Sequence, residues 1–409
     1  MRILVWGINY APEVTGIGPH NTALCEFLKA SGHEVEMVTT FCYYPAWRKR
    51  PEDSGHLYRT DQINGIPVHR CWHYVPVRTA SWKRILHELS FIITSTLRAL
   101  TLRKPDLIIV ISPPLLIGAA AWLVGRVKCA PYLFHVQDLQ PDGAMGLGML
   151  KKSLFTRLLY GLEAFAYKKA WRVSGISKGI LEAFSKKQTR ESKLIYFPNT
   201  IVLPHDGQNH GRGIFRGKHG FREDDFLAVH SGNVGIKHGL DILVEAACHI
   251  KNERIKILIC GEGTARDMLE DLAARHQLEN VIFFPLQSGP DYIELLEDMD
   301  ISLITQQKGS GHAFFPSKLL NALAYAKPVL AVAESDSELS RALAEGGFGV
   351  NVSHDAPEAL ARELDRLSGA KETLALYGKA GREFVQQFDR ERVFREFDAA
   401  ISRIGEWSK

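Results

Sequence analysis

Short apolar runs recur along this chain, each followed by a polar or glycine-bearing stretch and then by a longer segment with apolar positions three and four residues apart. Uninterrupted apolar runs of four to six residues fit buried strands, and the three-four spacing fits helices with one buried face. The spacing predicts strands at 2–7, 34–39, 106–111, 131–136, 173–176 and 194–199. Helices are predicted at 21–31, 80–104, 114–127 and 147–172, and Ser177 is placed to cap another. A polar stretch at 205–217, rich in glycine and histidine, reads as a linker. The same order then restarts, with strands at 226–230, 255–260, 281–284, 301–304 and 329–332. Helices are expected at 240–250, 265–276 and 292–298, then after Pro316–Ser317, and finally at 356–367, 371–387 and 389–405.

A strand, a loop, a helix and a second strand in succession require parallel pairing, and open sheets of this kind bind ligands at the carboxyl ends of their strands. The predicted fold class is therefore α/β, with two Rossmann-like parallel-sheet domains facing across a cleft. Residues 1–200 form the first domain and 201–385 the second, with 386–409 a C-terminal helix packing back towards the first.

The loops at those strand ends hold the candidate chemistry. After the first strand come Gly16, Ile17 and Gly18, but the next positions are His20 and Asn21, so the dinucleotide fingerprint G-x-G-x-x-G is absent. In the second half, a loop at 231–239 contains Asn233 and Lys237, and Gly261 and Gly263 flank a tight turn. The stretch 309–331 reads as a glycine loop, a helix opening at Pro316 and Ser317, Lys318 in its first turn, and a strand. Proline suits a first helical turn, and the free N–H groups there suit an anion such as a diphosphate.

Charge divides the chain unevenly. Residues 1–200 carry 26 Lys and Arg against 14 Asp and Glu, whereas residues 201–409 carry 24 against 32. A basic first half suits an anionic partner, whether nucleic acid, an anionic bilayer or a phosphorylated substrate. Basic-aromatic helices at 80–104 and 147–172, with the loop 42–51, either lie on a membrane surface or show a solvated basic face. The uncharged run 107–125 has nearly the length of a membrane span, but Pro113–Pro114 divides it, which favours a buried strand followed by a helix. The segment after Met1 is too short for a signal sequence, and the six cysteines include no C-x-x-C pair. These features lead us to expect a cytoplasmic protein without a zinc site.

In their order, the segments ILVWGINYAPEVTGIG, GHEV, FPN, HSGNVGIKHGLD, GEG and PSKLLNALAYAKPV resemble glycosyltransferase family 4, with its two-domain GT-B fold. With YYPAW, HVQD and FFPLQS added, the chain looks similar to the colanic acid fucosyltransferase type of exopolysaccharide enzymes. The resemblance implies transfer of a sugar from a nucleotide-sugar donor, with retention at the anomeric carbon. The donor is GDP-fucose or another nucleotide-sugar. The acceptor implied is a glycan on a polyprenyl diphosphate at the inner face of the cytoplasmic membrane, to which the enzyme binds peripherally. Nucleic acid is not expected as a partner. The resemblance assigns donor binding to Gly16, Ile17, Gly18, Asn233, Lys237, Gly261, Gly263, Pro316, Ser317, Lys318 and Asn321. No D-x-D pair is evident, so no metal or other cofactor is expected; cations and N–H dipoles would stabilise the leaving diphosphate.

Three positions depart from the family pattern. The E-x7-E pair falls at Ala313 and Asn321, the loop arginine at Asn233, and the active-site histidine at Gln137. Strand alternation places His135 on the same face as Gln137, so either could reach the sugar, or His135 could be a satisfied core histidine. Asp138 is a candidate for hydroxyl contacts. Glu13 is a candidate acceptor-hydroxyl partner or base, or else simply solvated. Two rival readings stay open: a nucleotide-sugar epimerase of the same fold, and a non-enzymatic scaffold that binds membrane or nucleic acid.

Overall fold

Runs rich in isoleucine, leucine and valine become strands in the computed structural model, which describes residues 1–409 except 14–15, 45, 77–80, 147–149, 151–152, 205–211, 310–317 and 407–409. The first sheet is built from β1 (Arg2–Trp6), β2 (Glu34–Thr40), β3 (Tyr58–Ile63), β4 (Ile66–Cys71), β5 (Leu107–Ser112), β6 (Tyr132–Val136), β7 (Arg172–Gly175) and β8 (Leu194–Tyr196). Its helices are α1 (Gly18–Ala30), α2 (Ser81–Thr101), α3 (Ile117–Lys128), α4 (Gln140–Gly146), α5 (Leu154–Lys169) and α6 (Lys178–Lys186). Strand order is β3-β4-β2-β1-β5-β6-β7-β8, parallel apart from the β3–β4 pair.

The second sheet runs β11-β10-β9-β12-β13-β14 and is parallel throughout. Its strands are β9 (Phe226–Ser231), β10 (Ile255–Cys260), β11 (Val281–Phe284), β12 (Ile301–Thr305), β13 (Val329–Val332) and β14 (Gly349–Val352). The accompanying helices are α7 (Ile214–His219), α8 (Asp241–Ala247), α9 (Arg266–Arg275), α10 (Gly289–Asp298), α11 (Lys318–Ala324), α12 (Glu338–Gly346), α13 (Pro357–Ser368) and α14 (Lys371–Phe384), whereas the last helix, α15 (Arg390–Ser402), packs on the first sheet. Counted within this unit the order is 3-2-1-4-5-6, the doubly wound arrangement whose strand order reverses between β9 and β12.

By contact the chain divides into Met1–Asp142, Leu150–Asn199 and Val393–Lys409 as one unit, and Gly143–Met149 with Thr200–Arg392 as the other. In the first unit, α1 and α15 cover one sheet face. Leu24, Leu28, Val393, Phe394, Phe397 and Ile401 are buried there against the strand side chains. Phe197, just after β8, stacks on Phe397 with ring centroids 3.8 Å apart. Fully burying an apolar side chain contributes roughly 1.5–3 kcal/mol, so these few residues suffice to anchor the helix. α2 and α3 pack on the same sheet. In the second unit the core lies between β9–β14 and α8, α9 and α13.

Several expectations are sharpened. Residues 107–125 divide into the fully buried β5 and the start of α3, and among the described residues no helix is long and apolar enough to cross a membrane. Ser177 caps α6 by accepting from the Ile180 N–H at 3.2 Å. Part of the expected linker is helical: Ile214–His219 is α7, while 205–211 fall outside the described residues. The expected elements omit β3 and β4, and the first sheet is accordingly not wholly parallel. The local sign of that hairpin is Asn64–Gly65, with φ of 51° and 72°, between the paired residues Ile63 and Ile66. Two successive positive φ angles make the tight turn that suits strand twist, and Asn-Gly is the pair that tolerates them.

Candidate active site

In the first unit, strand order reverses between β1 and β5, and the loop after β1 lies at that point. Buried polar side chains hold this loop. The Arg70 guanidinium of β4 donates to the carbonyls of Thr40 (3.0 Å) and Ala11 (2.5 Å). Asn21 of α1 donates to the Asn9 carbonyl at 2.9 Å. Gly16 is exposed with φ of 68°, Ile17 is half-buried just before α1, and Gly18 opens the helix. A Cβ on Gly18 would lie 3.1 Å from the Glu13 carbonyl oxygen, so a side chain there would require the returning loop to give by a few tenths of an ångström.

Glu13 requires a correction. It is neither solvated nor open to a substrate as a base. The side chain is buried, and its carboxylate accepts from the backbone N–H groups of Tyr43 (2.9 Å) and Tyr44 (3.0 Å) and from the Asn9 amide (2.7 Å). Three donors on two oxygens make it a positioning group that ties the glycine loop to the aromatic loop after β2. Glu13→Ala is expected to lower stability by about 2–4 kcal/mol, because buried N–H groups left unpaired cost roughly 1–3 kcal/mol each. Urea unfolding checks this. An unchanged midpoint together with lost turnover would restore the role of base.

His135 also needs correction. It lies in β6, paired across to Ser174, and is 1% exposed. The Gln137 amide nitrogen donates to its Nε2 at 2.7 Å, so Nδ1 carries the proton and donates to Ser174 Oγ at 2.8 Å. Burial, followed by the neighbouring His20, pushes the ring down to about 3. His135 is therefore a neutral, satisfied core histidine, and its contact orients the Gln137 amide. The shared face expected from strand alternation is confirmed by that contact. Gln137 is itself buried, whereas Asp138 is half-buried just beyond the strand end and before α4. Pattern reasoning did not reach Glu88 of α2. Burial pushes its carboxyl up to about 7, opposed by a hydrogen bond from Gln140.

In the second unit, the loops after β9 and β10 are interlaced as if the sheet continued past its strands. The Gly232 N–H donates to the Cys260 carbonyl (2.9 Å), Val234 N–H to Glu262 (2.9 Å), and Ala265 N–H to Val234 (3.0 Å). Gly261 has φ of 157°, and a Cβ there would meet the Gly232 carbonyl oxygen at 1.8 Å; one on Gly263 would meet the Val234 carbonyl oxygen at 2.2 Å. Asn233 is exposed on the first loop, and Lys237 lies in the short turn Ile236–His238.

Lys318 opens α11, beside the point where strand order reverses. Its ammonium lies 3.1 Å from His230 Nε2, and its Cε and Nζ lie 3.6 and 3.7 Å from where a Gly232 Cβ would be. His230 is fully buried, and its pKa is held well below the usual imidazole value, first by burial and then by the Lys318 cation and His238. A neutral imidazole can accept a hydrogen bond, so His230 aims the lysine over the glycine loop. Asn321, one turn further along α11, hydrogen-bonds with the Tyr292 hydroxyl, as does Ser231. Burial raises that phenol to about 12. Ser231, Tyr292, Lys318 and Ala322 are among the side chains lining a small recess. Pro316 and Ser317 lie outside the described residues. His230 was legible as the residue preceding the glycine loop; Tyr292 gave no local signal. Among the described residues, no three His, Cys, Asp or Glu side chains are grouped to hold a metal ion.

Residues 15–200 match the family described as glycosyl transferase 4-like domain, and residues 212–384 match glycosyl transferases group 1. WcaI of Escherichia coli (strain K12), named as a colanic acid biosynthesis glycosyl transferase, is 32% identical over 409 residues, covering 97% of this chain and 98% of WcaI. Among solved structures, sucrose-phosphate synthase from Thermosynechococcus elongatus superposes with a TM-score of 0.77 at 17% identity, covering 99% of each chain. HepE from Anabaena in complex with UDP superposes with a TM-score of 0.70 at 15% identity, covering 98% of this chain and all of that one. The two parallel-sheet units thus share the fold of GT-B glycosyltransferases.

Proposed function

The chain belongs to the group 1 glycosyl transferases that carry a 4-like first domain, and from that premise we propose that it builds an exopolysaccharide by moving a sugar from a nucleotide-sugar to a lipid-linked glycan. The observation that carries this reading is Lys318, held by neutral His230 above the glycine loop after β9. When the sugar–oxygen bond of the donor breaks, negative charge develops on the departing diphosphate. A cation already oriented at that place stabilises the charge without reorganisation at the moment of reaction. Lys237, Lys318 and the backbone at Asn233 supply the charge complement, with no metal in the scheme. Tyr292, Ser231 and Asn321 offer hydroxyl and amide groups to the nucleoside where the family pattern has a carboxylate.

The transfer proceeds with retention, with Gln137 and Asp138 at the sugar and with the acceptor, a polyprenyl-diphosphate glycan, reached at the inner face of the cytoplasmic membrane. GDP-fucose is the first donor to test, supported by the full-length likeness to a colanic acid enzyme.

A thermal-shift screen with UDP, GDP and their sugars tests the donor. A ligand at a hundred times its Kd stabilises the native state by about 2.7 kcal/mol, so the true donor raises Tm by several degrees. Incubation with lipid extract then shows a labelled glycolipid. Should no nucleotide raise Tm, the donor reading falls. Should an epimerised free nucleotide-sugar form without transfer to lipid, the epimerase reading replaces it.

A further inference from the structure

Helix α2 buries one face through His87, Phe91, Ser95 and Ala99. Steps of three and four residues put Glu88 at the head of that face, ahead of Phe91 and Ser95. Periodicity expects an apolar side chain at such a position, and the sequence supplies a carboxylate.

The topology decides where this carboxylate sits. α2 runs back along the sheet from the carboxyl end of β4 towards the start of β5, so its first turns lie at the carboxyl edge. Tyr74, three residues beyond β4, fixes the second turn there. Its carbonyl accepts from His87 Nδ1 at 2.6 Å, and its N–H donates to Ser90 Oγ at 2.8 Å. From the other side of the edge comes Gln140, the first residue of α4 and three beyond Gln137. Its Oε1 accepts from the Leu115 N–H, in the loop after β5, at 2.6 Å, which leaves its amide nitrogen to donate to Glu88. α2 packs on β2 and β4, on one side of β1, whereas β5 and β6 lie on the other. A carboxyl carried by α2 and held by an amide from the β6 side therefore bridges the point where strand order reverses. Open α/β sheets bind their ligands there.

The surroundings suit a group that exchanges a proton. Glu88 is half-buried, with a neutral amide as its hydrogen-bond partner. The cation acting on it is Arg84, exposed and one turn earlier on α2. On the loop after β2 the phenol of Tyr43 is raised by burial first, then by the Glu13 and Glu88 carboxylates. Burial outweighs both Gln140 and Arg84 and lifts the Glu88 carboxyl to about 7. A general base works best when its pKa lies near the operating pH. Glu13 and His135 are each committed to buried partners.

We propose that Glu88 is the base that takes the proton of the acceptor hydroxyl, and that Gln140 is its positioning residue. The assignment rests on the transferase reading above. As the acceptor oxygen bonds to the anomeric carbon, the bond from that carbon to the diphosphate oxygen breaks, and its electron pair leaves with the diphosphate. The hydroxyl proton passes to the Glu88 carboxylate and from there to water.

Release of nucleoside diphosphate from the GDP- and UDP-sugars of the thermal-shift screen, with lipid extract as acceptor, tests the assignment. Wild-type kcat/KM is expected to rise with pH through an apparent pKa of about 7. Glu88→Gln is expected to lower kcat about a hundredfold or more and to abolish that rise, while nucleotide affinity by calorimetry stays unchanged. Gln140→Leu removes a bond that favours the ionised carboxylate, so the rise moves to higher pH. Folding is checked on the free protein. The Glu88 pKa is raised on folding, so its ionisation opposes the folded state increasingly as pH climbs from the ordinary 4.5 to about 7. Glu88→Gln should therefore raise the urea midpoint more at about pH 8 than at about pH 5. A rise in kcat/KM that persists in Glu88→Gln assigns the proton to another group and overturns the proposal, as does an unchanged kcat. If the wild type turns over none of these sugars, the transferase reading falls and takes the assignment with it. If the wild type turns one over and Glu88→Gln matches it, the assignment falls alone.

Discussion

Lys318→Ala is expected to weaken nucleoside diphosphate binding by about a hundredfold. A hydrogen bond to a charged group contributes roughly 1.5–3 kcal/mol, and each 1.4 kcal/mol is a factor of ten in Kd. The loss has two parts. The ammonium over Gly232 disappears, and His230 loses the partner at 3.1 Å that its Nε2 accepts from. Without the Lys318 cation, His230 is also released from one of the influences that hold its pKa down, although burial, the larger cause, stays. Lys318→Arg keeps the charge but not the compact ammonium, so it should recover only part of the affinity. Calorimetry with GDP and UDP measures the effect, and the unfolding midpoint of the ligand-free variant controls for misfolding. Unchanged nucleotide affinity in a folded Lys318→Ala protein would remove the lysine from the donor site.

Gly261→Ala is the second large effect, expected to cost about 3 kcal/mol of stability and most of the nucleotide affinity. The added methyl would lie 1.8 Å from the Gly232 carbonyl oxygen, a backbone atom that no side-chain rotation can clear. The φ of 157° adds strain that a side chain would feel and glycine does not. Relief requires the loop after β9 to move away from the turn after β10. That breaks the Gly232–Cys260 and Val234–Glu262 hydrogen bonds that hold the two together. Gly217 in α7 is the matched control: a Cβ there meets nothing within 4 Å, so Gly217→Ala should stabilise by about 0.5–1 kcal/mol. Urea unfolding of the pair decides the matter. Equal midpoints would mean that the loops are not pinned to each other at Gly261.

The two variants probe opposite kinds of legibility. Gly261 and Gly263 were readable as a tight turn because glycine at such spacing after an apolar strand has few other uses. Lys318 was readable as a cation in a first helical turn. What held it was not, because His230 lies 88 residues away in sequence. Asn321 was visible only as a departure from a family pattern, and its link to Tyr292 and Ser231 emerged when α10, α11 and β9 packed together. His135 shows the limit of strand alternation. The pattern gave the face it shares with Gln137, but not whether that face met substrate or core.

The chain by itself determined the alternation of strands and helices, the two α/β units, the glycine loops at the strand ends and the basic character of the first half. These follow from short-range rules, in which propensity, periodicity and turn chemistry act over a few residues. Tertiary structure decided the rest. It turned Glu13 from a candidate base into a clip for two backbone N–H groups some thirty residues further on. It also left one apolar stripe of α2 in solvent while burying the other. Periodicity marks which side chains share a face but not what that face meets, and hydrogen-bond partners far apart in sequence are chosen by packing alone.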